Sequence, residues 1–128
     1  MDELSFDELQ FFDGHLPALP LYVSLRARIL SEIDNVEIQV KKTQISFKNP
    51  YLFGAVSFTP VRKAKDRPKT FITVTFGLFH HCESPRIDAA TEPYPNRWTH
   101  HILVGEPQQI DDELMSWLKE AAALREKR

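Results

Sequence analysis

The sequence predicts one α+β domain over residues 1–128, with a mainly antiparallel sheet of about five strands packed against N-terminal and C-terminal helices. Apolar residues recur at helical spacing near both ends of the chain, and they alternate with polar residues at strand spacing through the middle. Helices and strands that are grouped in this way, rather than alternating, are typical of the α+β class. A length of 128 residues fits one compact domain.

Two helices are predicted before the first strand and one after the last. Ser5 and Glu8 have the spacing of a capping box, so we expect a short helix over about residues 5–13. A second helix is predicted over about residues 18–33, and an acidic cap begins a final helix over about residues 111–126. The apolar residues that give the second helix its spacing are Tyr22, Leu25, Ile29 and Ile33.

All of the predicted strands lie between residues 36 and 104. The apolar positions change parity between residues 40 and 43, so Lys41-Lys42 is predicted as a tight connection between two strands. Residues 80–97 contain three prolines and little alternation, which indicates a long irregular connection. The five predicted strands cover about residues 36–40, 43–48, 51–59, 71–79 and 98–104.

The composition excludes several classes of protein. The single cysteine, Cys82, cannot form an intramolecular disulfide, so we expect a reducing compartment and a cytoplasmic location. Residues 1–5 carry two acidic side chains, where a secretory signal begins with positive charge. The chain has no apolar run near the roughly 18 residues that a membrane span needs, so no membrane partner is expected.

The near-neutral total charge hides a strong asymmetry along the chain. Residues 1–40 carry a net charge of −6, residues 41–69 carry +7 and residues 70–128 carry −3, which gives the total of −2. The middle segment holds eight basic residues and one acid, Asp66. Such a block is often only a solvated surface of strands and a hairpin, but it is also the one global feature that indicates an anionic partner.

The basic segment contains a pattern that fits an anion-binding surface. Four polar residues alternate along one predicted strand, so their side chains share one face and can follow a phosphate backbone. They are Lys42, Gln44, Ser46 and Lys48. The loop of residues 62–69, together with Arg86 and Arg97, extends this surface, because arginine binds phosphate and carboxylate groups bidentately. The pattern predicts a phosphate-containing ligand or nucleic acid as the partner.

Two histidine pairs and one cysteine offer ligands for a metal. A zinc site can be drawn from His80-His81, Cys82 and His100-His101, but the spacing matches no standard zinc pattern, so we expect surface or hydrogen-bonded histidines and no metal. Ser84 lacks the flanking glycines of a hydrolase elbow, and the four glycines form no phosphate-binding loop. No catalytic residue and no cofactor is therefore predicted.

Several segments of the chain are distinctive when taken in order. They are Phe12-Asp13-Gly14-His15 with Leu21-Tyr22, Val36-Glu37-Ile38, Lys42 to Phe47, Ser84-Pro85-Arg86-Ile87, Tyr94 to His101, and Asp112-Glu113-Leu114 with Trp117-Leu118. Together they resemble a bacterial family catalogued as domain of unknown function 5655, and Trp98-Thr99-His100-His101 is the most specific part. The family has no established activity. Its domain is sometimes appended to larger proteins, which implies an accessory or binding module. The Trp98-led strand before an acid-capped helix is also similar, for the fold only, to MmcQ/YjbR-like double-wing proteins.

From this resemblance we predict seven ligand-binding positions. They are Lys42, Gln44, Ser84, Arg86, Arg97, His100 and His101. The leading hypothesis is a small bacterial accessory or binding domain without catalytic activity, which recognises an anionic partner. A second hypothesis is a small enzyme that uses His100 or His101 as general acid/base. A third is an oligomerising scaffold, such as a homodimer.

Overall fold

The computed structural model describes the backbone of residues 3–126 and the side chains of residues 3–124. The strands are β1 (Glu37–Val40), β2 (Ile45–Lys48), β3 (Leu52–Ser57), β4 (Ile72–Leu78), β5 (Ala89–Tyr94) and β6 (Arg97–Val104). The helices are α1 (Phe6–Phe11), α2 (Leu19–Glu32) and α3 (Asp112–Glu126). Single turns of 3₁₀ helix lie at Leu16–Ala18, Ala64–Asp66 and Pro107–Gln109.

The predicted α+β class is confirmed. The six strands form one sheet in the spatial order β1-β2-β3-β4-β6-β5, and every neighbouring pair is antiparallel. Helices precede and follow the sheet, as expected. Within the described part of the chain, none of the helices has the length and apolar character needed to cross a membrane.

The sheet has one strand more than the sequence predicts. The additional strand is β5, which lies within residues 80–97, the stretch predicted as an irregular connection. Because β5 lies at the edge of the sheet and its residues are half-buried or exposed, neither of its faces requires a run of apolar side chains. Pro93 also argues against a strand in the sequence, although an edge strand tolerates proline.

One face of the sheet is covered by α2 and α3. The register places Phe47 of β2, Gly54 of β3 and Phe76 of β4 side by side on this face. The ring of Phe76 stacks with Trp117 of α3 at 5.7 Å between centroids. The ring of Phe47 stacks with Tyr22 of α2 at 6.4 Å. The hydrophobic core therefore lies between these two helices and the covered face of the sheet.

The opposite face of the sheet carries short and mostly polar side chains. On this face, which we call the open face, the register aligns Ala55, Thr75 and His101 on neighbouring strands. The β3–β4 connection, residues 58–71, lies over one end of the open face, where the hydroxyl of Thr73 donates a hydrogen bond to a backbone carbonyl of that connection at 2.6 Å. The other end forms a depression of about 140 Å³.

A buried ion pair joins α1 to α2. The carboxylate of Glu8 accepts hydrogen bonds from Arg26 Nε (2.7 Å), from the backbone N–H of Ser5 (2.8 Å) and from the hydroxyl of Tyr22. Burial raises the pKa of Glu8, but these hydrogen bonds outweigh it, so the net pKa lies below its usual value. Arginine is rarely buried without a partner; Arg26 is buried on α2 because Glu8 supplies its counter-charge.

Both edges of the sheet are short or interrupted. The edge strand β1 has four residues. In the other edge strand, β5, the register shifts between Thr91 and Tyr94, on either side of Pro93. Just before β5, the carboxylate of Asp88 accepts a hydrogen bond from the backbone N–H of Leu103 at 2.8 Å. If β5 were longer, one of its backbone carbonyls would accept this hydrogen bond instead.

Replacing Gly54 by valine tests the packing of α3 against the sheet. A Cβ atom at Gly54 would lie 3.1 Å from Cδ2 of the fully buried Leu118, so Gly54→Val is expected to lower the free energy of unfolding by about 1–3 kcal/mol. Gly77→Val is the matched control, because a Cβ at Gly77 meets nothing closer than 3.8 Å. Urea unfolding measures both variants, and equal losses of stability would contradict the close approach of α3.

Replacing Arg26 by methionine tests the buried ion pair. Arg26→Met leaves the Glu8 carboxylate buried without a counter-charge, so we expect a loss of about 3–5 kcal/mol in the free energy of unfolding. Arg28→Met on the same helix is the control. Arg28 pairs with Glu32 and Asp112 nearer the surface, so Arg28→Met is expected to lower the free energy of unfolding much less than Arg26→Met. Thermal unfolding in which the two variants lose similar stability would refute the importance of the buried pair.

Candidate anion-binding site

A cleft of about 400 Å³ lies between the α1–α2 connection and the β3–β4 connection. Gly14, His15 and Pro17 contribute one wall, and Arg67 and Lys69 contribute the other. Gly14 has a φ angle of +83°, a left-handed conformation that glycine adopts without steric strain. The chain can therefore turn sharply after α1 and bring His15 to the edge of the cleft.

Aromatic rings form the floor of the cleft. Phe58, the first residue after β3, and Phe71, the residue before β4, both line it. The imidazole of His15 stacks on Phe58, with 3.9 Å between ring centroids and 14° between ring planes. The rings of Phe11 and Phe12 each lie 5.4 Å from Phe58 on its other sides. The floor is thus continuous with the hydrophobic core.

The cleft is positively charged. Arg67 is half-buried and Lys69 is exposed, and no acidic residue is among the described residues that line the cleft. Neither cation forms an ion pair or a side-chain hydrogen bond within the part of the chain that the structure describes. Arg62 of the same connection, by contrast, pairs with Asp88 at 2.6 Å. Two cations without a counter-charge give the cleft a positive electrostatic potential.

The backbone that carries Arg67 and Lys69 is held by Pro68. This proline packs against Gly105, where a Cβ atom would lie only 2.7 Å from Pro68 Cγ and 3.5 Å from the carbonyl oxygen of Thr70. Proline also fixes its own φ angle. The two basic side chains therefore leave a well-defined stretch of backbone, which reduces the entropy lost when they are ordered around a ligand.

The structure distributes the seven predicted ligand-binding residues over both faces and both edges of the sheet. Lys42 precedes β2, the second strand in the spatial order, and Arg86 precedes β5, the sixth. Four strand spacings, or about 19 Å, separate these two strands. The sheet therefore keeps Lys42 and Arg86 apart, and neither of them lines the cleft.

Lys42 lies in the β1–β2 turn, where the sequence predicts a tight connection at Lys41-Lys42, but the turn also includes Gln44, which the sequence places in a strand. The turn is closed by a hydrogen bond from the backbone N–H of Lys41 to the carbonyl of Gln44 at 2.8 Å, so β2 begins only at Ile45. The side chain of Lys42 is exposed. The amide of Gln44 donates a hydrogen bond to the hydroxyl of Ser46 at 2.9 Å, which places it beside the open face.

Arg86 and Ser84 hold the β4–β5 connection against the start of α3. The guanidinium of Arg86 donates to the carboxylates of Asp111 (2.8 Å) and Glu113 (3.0 Å). It also donates to the backbone carbonyl of Gln109 at 2.6 Å. The hydroxyl of Ser84 accepts a hydrogen bond from the backbone N–H of Arg86 at 3.2 Å. The guanidinium of Arg86 is therefore paired with two carboxylates of this structure.

Arg97 begins β6 on the open face, next to the β5–β6 hairpin. Its guanidinium lies 5.2 Å from the centroid of the Phe79 ring, within range of a cation–π interaction. Its Nη1 atom is buried and has no hydrogen-bond partner among the described residues. Arg97 is therefore half-buried against the sheet rather than extended into solvent.

His100 is fully buried on the covered face of the sheet. Its ring stacks on Phe76 at 5.1 Å, and its Nε2 accepts a hydrogen bond from the backbone N–H of Cys82 at 2.9 Å. The neutral ring therefore carries its proton on Nδ1, which has no partner of good geometry in the described structure. Burial lowers the pKa of His100 and the neighbouring His81 lowers it further, while the Phe76 carbonyl acts in the opposite direction. As a neutral acceptor, His100 holds the β4–β5 connection on the sheet.

His101 is half-buried on the open face. Its Nδ1 lies 2.9 Å from the hydroxyl oxygen of Thr75. Burial lowers the pKa of His101, so the ring is neutral near pH 7. A neutral imidazole beside a hydroxyl can exchange a proton with it. Consecutive strand residues point to opposite faces, so His100 and His101 cannot serve one site.

The first histidine pair has partners of its own. His80 Nε2 lies 2.7 Å from the carboxylate of Glu120, and the ring of His81 lies 4.7 Å from that of Trp98. Burial raises the pKa of Cys82, so little thiolate is available as a ligand at neutral pH. Among the residues that the structure describes, no group of three His, Cys, Asp or Glu side chains is placed to hold a metal ion.

The sequence analysis includes Arg67 and Lys69 in a basic loop but misses His15 and Phe58 as cleft residues. His15 reaches the cleft from the α1–α2 connection, which is distant in sequence from the β3–β4 connection. Phe58 reads as an ordinary core residue in a predicted strand. The segment Phe12-Asp13-Gly14-His15 is the one sequence feature that draws attention to His15. It belongs to the family resemblance, but it assigns no chemical role to the histidine.

Comparison with known proteins identifies the family. The sequence profile of the family described as Domain of unknown function (DUF5655) matches residues 8–124. The chain belongs to this family. No curated protein and no solved structure matches it. The DUF5655 match runs from α1 into α3, so it includes both walls of the cleft and the whole sheet. The fold-level similarity to double-wing proteins stays a prediction.

The buried imidazole of His100 predicts a loss of stability in acid. Its pKa is lowered on folding, so the unfolded chain takes up the proton first. This contribution to the free energy of unfolding is complete above pH 6.5 and is lost as the pH falls below it. Protonation also turns Nε2 into a donor that faces the N–H of Cys82. Urea unfolding between about pH 7.5 and about pH 5.5 should show a loss on the order of 1 kcal/mol, comparable to one hydrogen bond.

The variant His100→Gln separates this effect from the other histidines. It removes the titration of the buried ring, so its stability should depend less on pH than that of the original protein. His15→Gln is the control, because His15 lines the cleft and is not among the groups that shift the pKa of His100. His80, whose pKa is raised by the hydrogen bond to Glu120, and His101 titrate in all three proteins. Parallel pH profiles for the original protein and His100→Gln would show that the prediction is wrong.

Proposed function

We propose that this protein is a binding domain without catalytic activity, which recognises a phosphate-bearing ligand in the cleft between the α1–α2 and β3–β4 connections. The observation that carries the proposal is the pair of cations, Arg67 and Lys69, that line the cleft with no acidic residue among its described lining residues. A volume of about 400 Å³ is within the usual range for small-molecule sites.

A phosphate group suits both cations. The guanidinium of Arg67 can bind two phosphate oxygens with parallel N–H groups, and the ammonium of Lys69 supplies a point charge. The hydroxyl of Thr70 lines the same wall and can donate a further hydrogen bond. The rings of Phe58 and Phe71 suit an apolar or ring-shaped remainder of the ligand. A phosphorylated small molecule and a terminal nucleotide of a nucleic acid share this chemistry.

Within the basic segment of residues 41–69, the proposal assigns ligand binding to Arg67 and Lys69 of the β3–β4 connection. Lys63 and Lys65 are exposed on the same connection but do not line the cleft. Lys42 lies in the β1–β2 turn. These exposed lysines contribute long-range attraction for an anion, which raises the rate of association more than the affinity. The predicted binding roles of Lys42, Gln44 and the other five residues stay predictions.

The alternative hypotheses depend on other features. A small enzyme would depend on His101, because His100 is fully buried and uses Nε2 for the N–H of Cys82. An oligomerising scaffold stays a prediction, as does the bacterial cytoplasm as the location of the protein. The free thiol of Cys82 is compatible with a reducing compartment.

Neutralising the two cleft cations tests the proposal. The double variant Arg67→Gln/Lys69→Gln should bind phenyl phosphate at least about tenfold more weakly than the original protein, because each charge-assisted hydrogen bond contributes roughly 1.5–3 kcal/mol. Isothermal titration calorimetry at low salt measures this affinity. A short single-stranded oligonucleotide, followed by fluorescence anisotropy, tests the nucleic-acid source of the phosphate. Its binding should weaken as salt rises.

The double variant Lys63→Gln/Lys65→Gln is the matched control, because it removes the same charge from the same connection outside the cleft. The proposal expects this control to keep most of its affinity for phenyl phosphate. If both double variants lose the same affinity for phenyl phosphate, binding depends on the net charge of the connection, and the cleft is not the binding site. The absence of binding to both phosphate probes at low salt would overturn the function itself.

A further inference from the structure

The depression on the open face is a second concave surface, distinct from the cleft. It lies over β3, β4 and β6 and shares no lining residue with the cleft. No charged residue is among the described residues that line it. The lining residues are neutral polar, aliphatic or aromatic, with two glycines: Gln44, Leu52, Phe53, Gly54, Ala55, Thr75, Phe76, Gly77 and Thr99. Its chemistry therefore differs from that of the cleft.

The lining of the depression offers neutral hydrogen-bonding groups. The amide of Gln44 uses one N–H for Ser46 and keeps a second N–H and its carbonyl oxygen. The hydroxyl of Thr99 forms no hydrogen bond within the described part of the chain. The hydroxyl of Thr75 is shared with His101 and keeps capacity for one more bond. Three uncharged polar residues thus border one small volume.

The depression is about the size of one ring. Ala55 contributes only a methyl group, and Gly77 has no side chain; a Cβ atom at Gly77 would meet the carbonyl oxygen of Trp98 at 3.8 Å, an ordinary van der Waals contact. An engineered cavity of about 150 Å³ holds one benzene molecule. A depression of about 140 Å³ therefore accommodates a single six-membered ring with one face open to solvent.

We propose that this depression binds an uncharged, planar heterocycle of one ring, with the size and hydrogen-bonding pattern of a pyrimidine base. Two or three polar ring atoms match the three neutral groups of Gln44, Thr75 and Thr99. A monosaccharide carries a hydroxyl on most of its carbons and would leave more of them without protein partners. An anion is disfavoured because no cation is among the described lining residues, and the guanidinium of Arg97 lies against Phe79.

An NMR titration of the full chain with uracil tests this site. We expect shifts of the backbone amides around Thr75, Gly77 and Thr99, with the amides of the cleft unchanged. Gly77→Leu fills the depression and should abolish these shifts, while Ser116→Leu on the exposed side of α3 should leave them intact. Thr75→Val removes one neutral hydrogen bond and should weaken binding about twofold to tenfold, which keeps the test valid if Gly77→Leu does not fold.

Three outcomes would overturn the proposal. One is the absence of shifts around the depression at uracil concentrations near its solubility limit. Another is a full response to uracil in folded Gly77→Leu or in Thr75→Val. The third is a response of the same amides to methyl glucoside but not to uracil, which would assign the site to carbohydrates. Because uracil is uncharged at neutral pH, each of these results leaves the phosphate-binding proposal for the cleft unaffected.

Discussion

The packing of α3 on one face of the sheet is the constraint on which most of the structure depends. Gly54 allows the helix to approach β3 so closely that a Cβ would be crowded by Leu118. The approach sets Trp117 on one side of Phe76, and the buried ring of His100 also stacks on Phe76. The helix, the strand residues and the β4–β5 connection are therefore held by one continuous set of contacts on the covered face.

Because α2 and α3 cover one face of the sheet, the other face is the one that borders solvent or the β3–β4 connection. The strand that begins with Arg97 alternates its residues between the two faces, so Trp98 and His100 belong to the covered face, whereas Thr99 and His101 belong to the open face. The pleat thus divides the most specific segment of the family resemblance into two residues on the covered face and two on the open face. A motif that is continuous in the sequence serves two separate surfaces.

The sequence predicts those features that depend on local pattern. The helices and five strands follow from apolar periodicity, because their buried faces impose it. The edge strand β5 lacks such a face and was missed. The burial of Arg26 could not be predicted, because its counter-charge lies on α1. The basic segment was visible, but only the fold shows that Arg62 is neutralised by Asp88 while Arg67 lines a cleft. Pairing between distant residues decides which charges are available to a ligand.

The form of the sheet edges has a consequence for self-association. A long, regular edge strand offers a row of unpaired N–H and C=O groups to which another chain can add a strand, which is a common route to aggregation. Here β1 is too short for such an extension, and β5 lacks the N–H of Pro93 and changes register beside it. The backbone N–H of Leu103, which β5 does not pair, donates a hydrogen bond to the carboxylate of Asp88. Strand addition is therefore disfavoured at both edges, and copies of this chain that associate would meet through helices or through the open face.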